Sequence, residues 1–406
     1  MIKASKFSLQ AGLFEDLGGK FSAPAQQNGK EQLNFLKGDP TYYGNVDVKM
    51  PQAGYDIVKK SILNPKNHSY AASNGSLAAR NAIAKHFGGS NMAITGNDVI
   101  LTHGANMGLF ISLMSITNSG DNILVPEPGY PFFHKNGPSV GVEARSYKLN
   151  PEKGYQIDLE HLATLVDEKT RFLWVVNPSN PFGSIFTKEH IEEIFAFCRK
   201  HKLFIISDEV YWNESFSDYE FISLGHATTD VPVIVIGGME KTFLVPGWGI
   251  SWMIFFDQNQ KLKEVKGACL TTCQLCLHPC SFLMSALPEL LDTLTADFTK
   301  NFMKTFEENY NYLYEEFSNI KGLKPIPAQG TFYISVLIDL NQFKNFKNDV
   351  DFLQALNEEE NIQILPLSVF KGDAQGFRMM SCATKKIYES FIPRLVEFCQ
   401  RHIESK

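Results

Sequence analysis

Seven short apolar, β-rich runs recur through the middle of the chain: 99–103 (VILTH), 122–126 (NILVP), 142–149, 171–176 (RFLWVV), 203–207 (LFIIS), 233–236 (VIVI) and 250–256 (ISWMIFF). Stretches with helical spacing separate several of them, as in 187–201 (TKEHIEEIFAFCRKH). Near-continuous apolar strands alternating with helices predict a mainly parallel seven-stranded sheet covered on both faces. This α/β unit spans roughly residues 50–290. From about residue 260 the pattern changes to long helices, with one strand-like run at 331–338 (TFYISVLI) and a helical tail at 384–405. Elements that no longer alternate predict a smaller α+β unit. It is assigned to residues 291–406, with residues 1–49 joining it.

Composition narrows the class. The chain has 406 residues, 44% of them hydrophobic and 20% charged, enough for a sizeable core and incompatible with disorder. A net charge of −6 argues against a nucleic-acid surface. No run of about 18 apolar residues is present, so no membrane span is expected. Lys3, Lys6, Lys20 and Lys30 precede no apolar stretch of the secretory type. The seven cysteines are odd in number and four fall within 269–280, which points away from a disulfide framework and toward a reducing cytoplasm.

Ligands of a parallel α/β sheet bind beyond the carboxyl ends of its strands, so the residues after each run carry the functional information. His103-Gly104-Ala105-Asn106 follows the first run and opens a helix; small residues there let backbone amides approach an anion, and the same pattern also suits an ordinary strand–helix turn. Tyr130 follows the second run in a proline-rich turn able to present a stacking ring. Asn177-Pro178-Ser179-Asn180-Pro181 follows the fourth and fixes a polar amide, or caps its own turn. Asp208 and Tyr211 follow the fifth, where Asp208 is equally a helix cap. Lys241 follows the sixth, in Gly237-Gly238-Met239-Glu240-Lys241. A lysine beside a desolvated crevice is a candidate Schiff-base nucleophile. A lysine, a carboxylate, a phenol, an amide, a stacking aromatic and a small-residue turn together make up the set that a pyridoxal phosphate site requires.

With these motifs in order, the chain resembles the class I pyridoxal-phosphate-dependent aminotransferases, the tyrosine aminotransferase branch in particular. The likeness extends over nearly the whole chain, through Gly38-Asp39-Pro40-Thr41, Gly44-Asn45, Tyr70 with Gly75, Asn177 to Gly183, Ser207 to Tyr211, the Gly237–Trp248 stretch and Gly376-Phe377-Arg378. The resemblance implies catalysis by Lys241, Asp208 and Tyr211, with Lys241 binding the cofactor as an imine and shuttling a proton. It implies that Gly104, Ala105 and Asn106 hold the phosphate, Tyr130 stacks on the ring, Asp208 pairs with the ring nitrogen, and Asn180 and Tyr211 bond the ring oxygen. Tyr70 would reach in from the other subunit of a homodimer, and Gly38, Asn180 and Arg378 would bind the substrate. The implied reaction is ping-pong transamination between an aromatic or broadly apolar α-amino acid and a 2-oxo acid. A lyase or decarboxylase on the same fold, or a weak paralogue with impaired cofactor binding, is the alternative.

Three positions depart from the family pattern. Gly249 stands where an arginine usually binds the phosphate, Glu240 where a small residue precedes the lysine, and His103 where serine is usual. Weaker phosphate binding is expected. Cys269, Cys273, Cys276 and Cys280 fall at i, i+4, i+7 and i+11, a stripe about 16 Å long on a continuous helix. Four such thiols cannot converge on one ion, so an apolar helix face, with no metal, is the expectation.

Overall fold

The computed structural model describes residues 4, 5, 7, 29–293 and 296–403. Most of residues 1–28, assigned above to the small unit, therefore lies outside the described residues. Fourteen strands are labelled here in chain order. β1 (Leu33–Asn34) precedes a large sheet made of β2 (Val99–His103), β3 (Asn122–Glu127), β4 (Glu143–Asn150), β5 (Gln156–Ile157), β6 (Thr170–Val176), β7 (Phe204–Asp208), β8 (Val233–Gly238) and β9 (Ile250–Phe256). The remaining strands are β10 (Leu323–Pro325), β11 (Tyr333–Ile338), β12 (Ile362–Gln363), β13 (Leu365–Pro366) and β14 (Gly376–Met380).

The large sheet has the order β2-β9-β8-β7-β6-β3-β4-β5. All seven apolar runs are strands in it. The eighth strand, β5, has only two residues and folds back antiparallel on the end of β4; so brief an element carries no periodicity to read. β3, β4, β6, β7 and β8 run parallel to their neighbours among themselves, whereas β9 is antiparallel to both β8 and β2. Strand order reverses between β3 and β6. That crevice is where a doubly wound sheet takes its ligand.

Helices cover both faces because their sequences demand it. The Lys188–His201 helix starts at Thr187, whose side chain accepts from the His190 amide, and carries Glu189 in its first turn. Arg199, Lys200 and His201 complement the dipole of its last turn, and Lys202 ends it in the left-handed conformation. Ile191, Ile194, Phe195 and Cys198 fall on one stripe and pack against Leu173, Val175 and Ile205 of the sheet. Losing the Thr187 cap costs about 1 kcal/mol. The Gly104–Ile116 and Lys263–Cys276 helices cover the opposite face, where Leu109, Leu113, Cys269 and Cys273 meet Ile100, Ile234 and Phe255.

The smaller sheet is antiparallel, in the order β10-β11-β14-β13. It packs with the Ala296–Ser318, Asp349–Glu360 and Lys385–His402 helices around its own aromatic core, including Phe306, Phe332, Phe377 and Phe391. Leu33 and Phe35 belong to that core, and β1 pairs in parallel with β12. The N-terminal stretch thus crosses over to the second sheet. No described helix is long and apolar enough to cross a membrane.

Candidate active site

The carboxyl edge of the large sheet and one edge of the small sheet enclose a cavity of about 600 Å³. Gly38, Gly104, Ala105, Asn106, Tyr130, Asn180, Asp208, Tyr211, Lys241 and Arg378 all line it. Of the eleven candidate site residues, Tyr70 alone does not. It stands 86% exposed in a neighbouring cleft with His68, His278 and Cys280, and that cleft shares His103 and Gly249 with the main cavity.

Lys241 lies in the single helical turn Met239–Thr242 that follows β8. Its ammonium donates to the carbonyl of Gly38 and lies 5.3 Å from the centre of the Phe332 ring, so it is tethered at the meeting of the two sheets. Asp208 is the last residue of β7, in register with Val176 of β6 and Ile236 of β8, which places its carboxyl at the strand ends. Burial pushes that carboxyl up to about 7, opposed by its contact with the Val210 amide and reinforced by the nearby Glu240. A buried carboxyl in this condition favours a cationic partner in the cavity.

At the other end, Arg378 projects from β14 and is 4% exposed. It donates through Nη1 to Oδ1 of Asn180 at 2.9 Å and through Nη2 to the Leu36 carbonyl at 3.3 Å, while its buried Nε has no hydrogen-bond partner among the described residues. The Tyr333 ring, 4.1 Å from the guanidinium carbon, and the Phe370 ring, at 5.1 Å, hold the plane in place. A guanidinium so fixed, with a donor unfilled, suits a carboxylate. Tyr211 is buried at 4% exposure, and its hydroxyl donates to that of Tyr333 at 3.3 Å. Burial raises the Tyr211 phenol well above its ordinary value, keeping it a proton donor.

The third region is the start of the Gly104–Ile116 helix. Gly104 takes φ +74°, and its amide donates to the Gly249 carbonyl at 3.1 Å. The next amides of the first turn have no helical acceptor, an arrangement that suits an anion. Tyr130 donates to Oδ1 of Asn106 at 3.2 Å, which ties the aromatic to this turn. The Glu240 side chain points here rather than away: Ser251 lies 2.8 and 2.7 Å from its two oxygens, and a methyl group built on Gly104 would stand 3.3 Å from Oε1. Burial lifts the Glu240 carboxyl to about 7, against the opposing pull of the Ser251 hydrogen bond and Lys241.

The sequence reading overlooked two participants. Tyr333 sits inside an apolar strand with no motif around it, and only its place opposite Arg378 gives it meaning. Glu214 is fully buried behind the Lys241 turn, its two carboxylate oxygens without hydrogen-bond partners among the described residues; burial raises it to about 8, with Lys241 the opposing influence. The cysteine stripe divides. Cys269 and Cys273 are buried in the helix face, as apolar side chains would be, and burial raises both thiols. The helix ends at Cys276, whose sulfur lies 3.5 Å from that of Met107, and Cys280 is exposed beyond the break.

Comparison with known proteins bears on this arrangement as a whole. The model of the family described as aminotransferase class I and II matches residues 30–392. Human tyrosine aminotransferase is 34% identical over 376 residues, which cover 92% of this chain and 82% of that protein. The crystal structure of tyrosine aminotransferase from Leishmania infantum superposes with a TM-score of 0.92 at 26% identity, covering 100% of this chain and 99% of the other. Alanine aminotransferase from Pyrococcus furiosus superposes with a TM-score of 0.90 at 27% identity, covering 98% and 100%. With one family profile running across both sheets and the cavity between them, the chain belongs to the class I and II aminotransferases.

Proposed function

We propose that this chain moves an amino group between an aromatic or broadly apolar α-amino acid and a 2-oxo acid. The observation that carries the reading is the convergence, in one cavity, of a tethered lysine, a buried carboxyl at the strand ends and a stacked arginine with an unfilled donor. Pyridoxal 5′-phosphate is the cofactor of the family, and the ring end of the cavity fits it. Lys241 would hold it covalently, Asp208 would face the ring nitrogen, Asn180 and Tyr211 would face the ring oxygen, and Tyr130 would cover the ring. Gly104, Ala105 and Asn106 would meet the phosphate. Bound there, the cofactor supplies an electron sink that makes the α-carbon proton of an amino acid removable.

The protein's own groups do the rest. Arg378, oriented by Asn180 and Tyr333, binds the α-carboxylate as a fork and fixes the α-carbon, with the Gly38 backbone alongside. The amine of Lys241 takes the proton from that carbon and returns it on the other side of the reaction. Asp208, as a carboxylate, would keep the ring nitrogen of the bound cofactor protonated. Leu36, Val210 and Leu365 give the cavity an apolar wall for the substrate side chain.

Three further assignments belong to this reading. Residues 50–290 form the cofactor unit, and residues 1–49 with 291–406 form the smaller one; the pairing of β1 with β12 supports the grouping. The chain works as a homodimer in which Tyr70 serves the partner's cavity, consistent with its exposure outside its own. A reducing cytoplasm suits seven free cysteines. Elimination or decarboxylation on the same fold is not favoured by the relatives found. A weak paralogue is the second reading, and the carboxyl of Glu240 at the anion end is what favours it.

The test combines borohydride trapping with product analysis. The expected result is a pyridoxyl adduct on Lys241, absent in Lys241→Ala, and a 2-oxo acid formed from tyrosine or phenylalanine beyond one equivalent per site only when an acceptor 2-oxo acid is supplied. An adduct on another lysine, or product beyond one equivalent per site without an acceptor, refutes the reading.

A further inference from the structure

The anion end of the cavity contains an anion of the protein's own. Glu240 places its carboxyl over the first turn of a helix of 13 residues, 3.3 Å from where a Gly104 side chain would begin. Both oxygens lie within hydrogen-bond distance of Ser251. A side chain at Gly238, the residue opposite Ser251 in the β8–β9 ladder, would collide with Glu240 and Ser251 together. The carboxyl is therefore seated in a slot made by the absence of a side chain at Gly238. No cation neutralises it: among the described residues Glu240 has no ion pair, and Gly249 contributes no side chain to the same end. The titratable groups that face it are Lys241 on its own turn, Asp208 at the end of β7 and His103 at the end of β2. Lys241 is held by Gly38, and Asp208 is itself acidic.

A phosphate seeking the amides of Ala105 and Asn106 would meet this carboxyl at close range. Two anions sharing one site cannot both stay charged. Leaving the slot would cost Glu240 its bonds to Ser251, whereas protonation keeps one of them and adds an O–H donor. We propose that Glu240 is an internal stand-in for the cofactor's phosphate, and that the phosphate enters together with a proton that turns Glu240 from an acceptor into a hydrogen-bond donor. Cofactor loading is then coupled to pH at the phosphate end. The coupling rests on the cofactor site proposed above, and it predicts that pyridoxal, which lacks the phosphate, binds without it.

Burial already brings Glu240 to about 7, so the proton is taken up on loading when the surroundings are more alkaline than that. One bound proton changes affinity about tenfold per pH unit. Apoprotein would be titrated with pyridoxal phosphate and with pyridoxal between about pH 7 and 9, following the visible band of the imine, in the native chain and in Glu240→Gln. Pyridoxal reports the pH dependence of imine formation itself. Relative to pyridoxal, the affinity of the native chain for pyridoxal phosphate is expected to fall about tenfold per unit. Glu240→Gln should lose that extra slope and bind the phosphorylated form more tightly at the alkaline end. Calorimetry of the native chain in two buffers of different ionisation heat gives the same answer without a variant: about one more proton taken up with pyridoxal phosphate than with pyridoxal. Equal uptake for the two ligands, or an unchanged slope in a folded Glu240→Gln, overturns the inference while leaving the cofactor site intact. An imine band with neither ligand overturns the inference together with the site.

Discussion

The guanidinium of Arg378 lies 4.1 Å from the centre of the Tyr333 ring, and the Tyr333 hydroxyl in turn receives a hydrogen bond from Tyr211. One residue of β11 thus links the arginine of the small sheet to the phenol that follows β7 of the large sheet. Arg378→Lys keeps the charge and loses both the fork and the stacking. It is expected to raise KM for amino acid and oxo acid alike by about ten- to a hundredfold, the equivalent of a charged hydrogen bond. Tyr333→Phe keeps the stacking and should cost much less. Steady-state kinetics with both substrates checks the pair; a Tyr333→Phe effect as large as that of Arg378→Lys would place the hydroxyl, not the ring, at the centre of the arrangement.

Gly249 adopts φ +60° with nothing within 4 Å of where a side chain would start. The Cβ of Gly249→Arg therefore meets no clash, and the left-handed backbone costs it roughly 1–2 kcal/mol. With the long side chain reaching the Gly104 turn, pyridoxal phosphate is expected to bind about ten- to a hundredfold more tightly. Titration of apoprotein measures the gain, and thermal unfolding of the apoprotein measures the loss. Equal affinity in the two proteins would mean that the phosphate is already neutralised by another group.

Buried carboxyls give the cofactor-free chain a pH-dependent stability. Glu214 is raised to about 8 and Glu209 to about 7, both chiefly by burial. A carboxyl raised on folding stabilises fully below its unfolded value and loses that contribution as pH climbs through the folded value. Apoprotein Tm is thus expected to decline from about pH 5 toward pH 8. Glu214→Met removes an unpartnered carboxyl from the interior and should raise Tm more at pH 8 than at pH 5. Scanning calorimetry across that range decides, and a Glu214→Met curve parallel to the native one would exclude Glu214 as a source of the slope.

Tyr70, at 86% exposure, is one of several exposed apolar side chains, Leu63 at 72% and Leu275 at 85% among them. The proposed dimer would cover such residues. Sedimentation is expected to show a dimer at micromolar concentration, with Leu275→Asp shifting it toward monomer and Tyr70→Ala weakening cofactor retention more than folding. A monomer with full transaminase activity would reject the shared cavity.

The sequence exposed its strands well because six of the seven large-sheet runs are buried on both faces and read as continuous hydrophobicity, whereas β4, near the sheet edge, is mostly half-buried or exposed. Ten of the eleven candidate residues line one cavity; eight of them stand at or just after the ends of large-sheet strands, a place fixed by topology, while Gly38 and Arg378 come from the N-terminal stretch and from β14. Two things were not legible. Tyr333 lies in the strand-like run 331–338 and Glu214 in a segment with no spacing signal, and their meaning comes from contacts that no spacing shows: Tyr333 with Arg378 and Tyr211, Glu214 with Lys241. The orientation of Glu240 depends on Gly238 and Ser251 standing opposite each other, a cross-strand relationship that an unusual residue before a lysine does not announce.

Because β9 runs against β8, the chain leaves the carboxyl edge through Lys241 and returns to that same edge at Ser251. Gly238, Glu240, Lys241, Gly249 and Ser251 consequently belong to one uninterrupted stretch of 14 residues, 238–251. Arg378 and Tyr333, by contrast, come from distant segments on the other sheet. Evolution can therefore edit the two halves of the pocket separately, as cassettes. A transplant of residues 238–251 from an arginine-bearing relative would refit the anion end while leaving the carboxylate fork with its original owner.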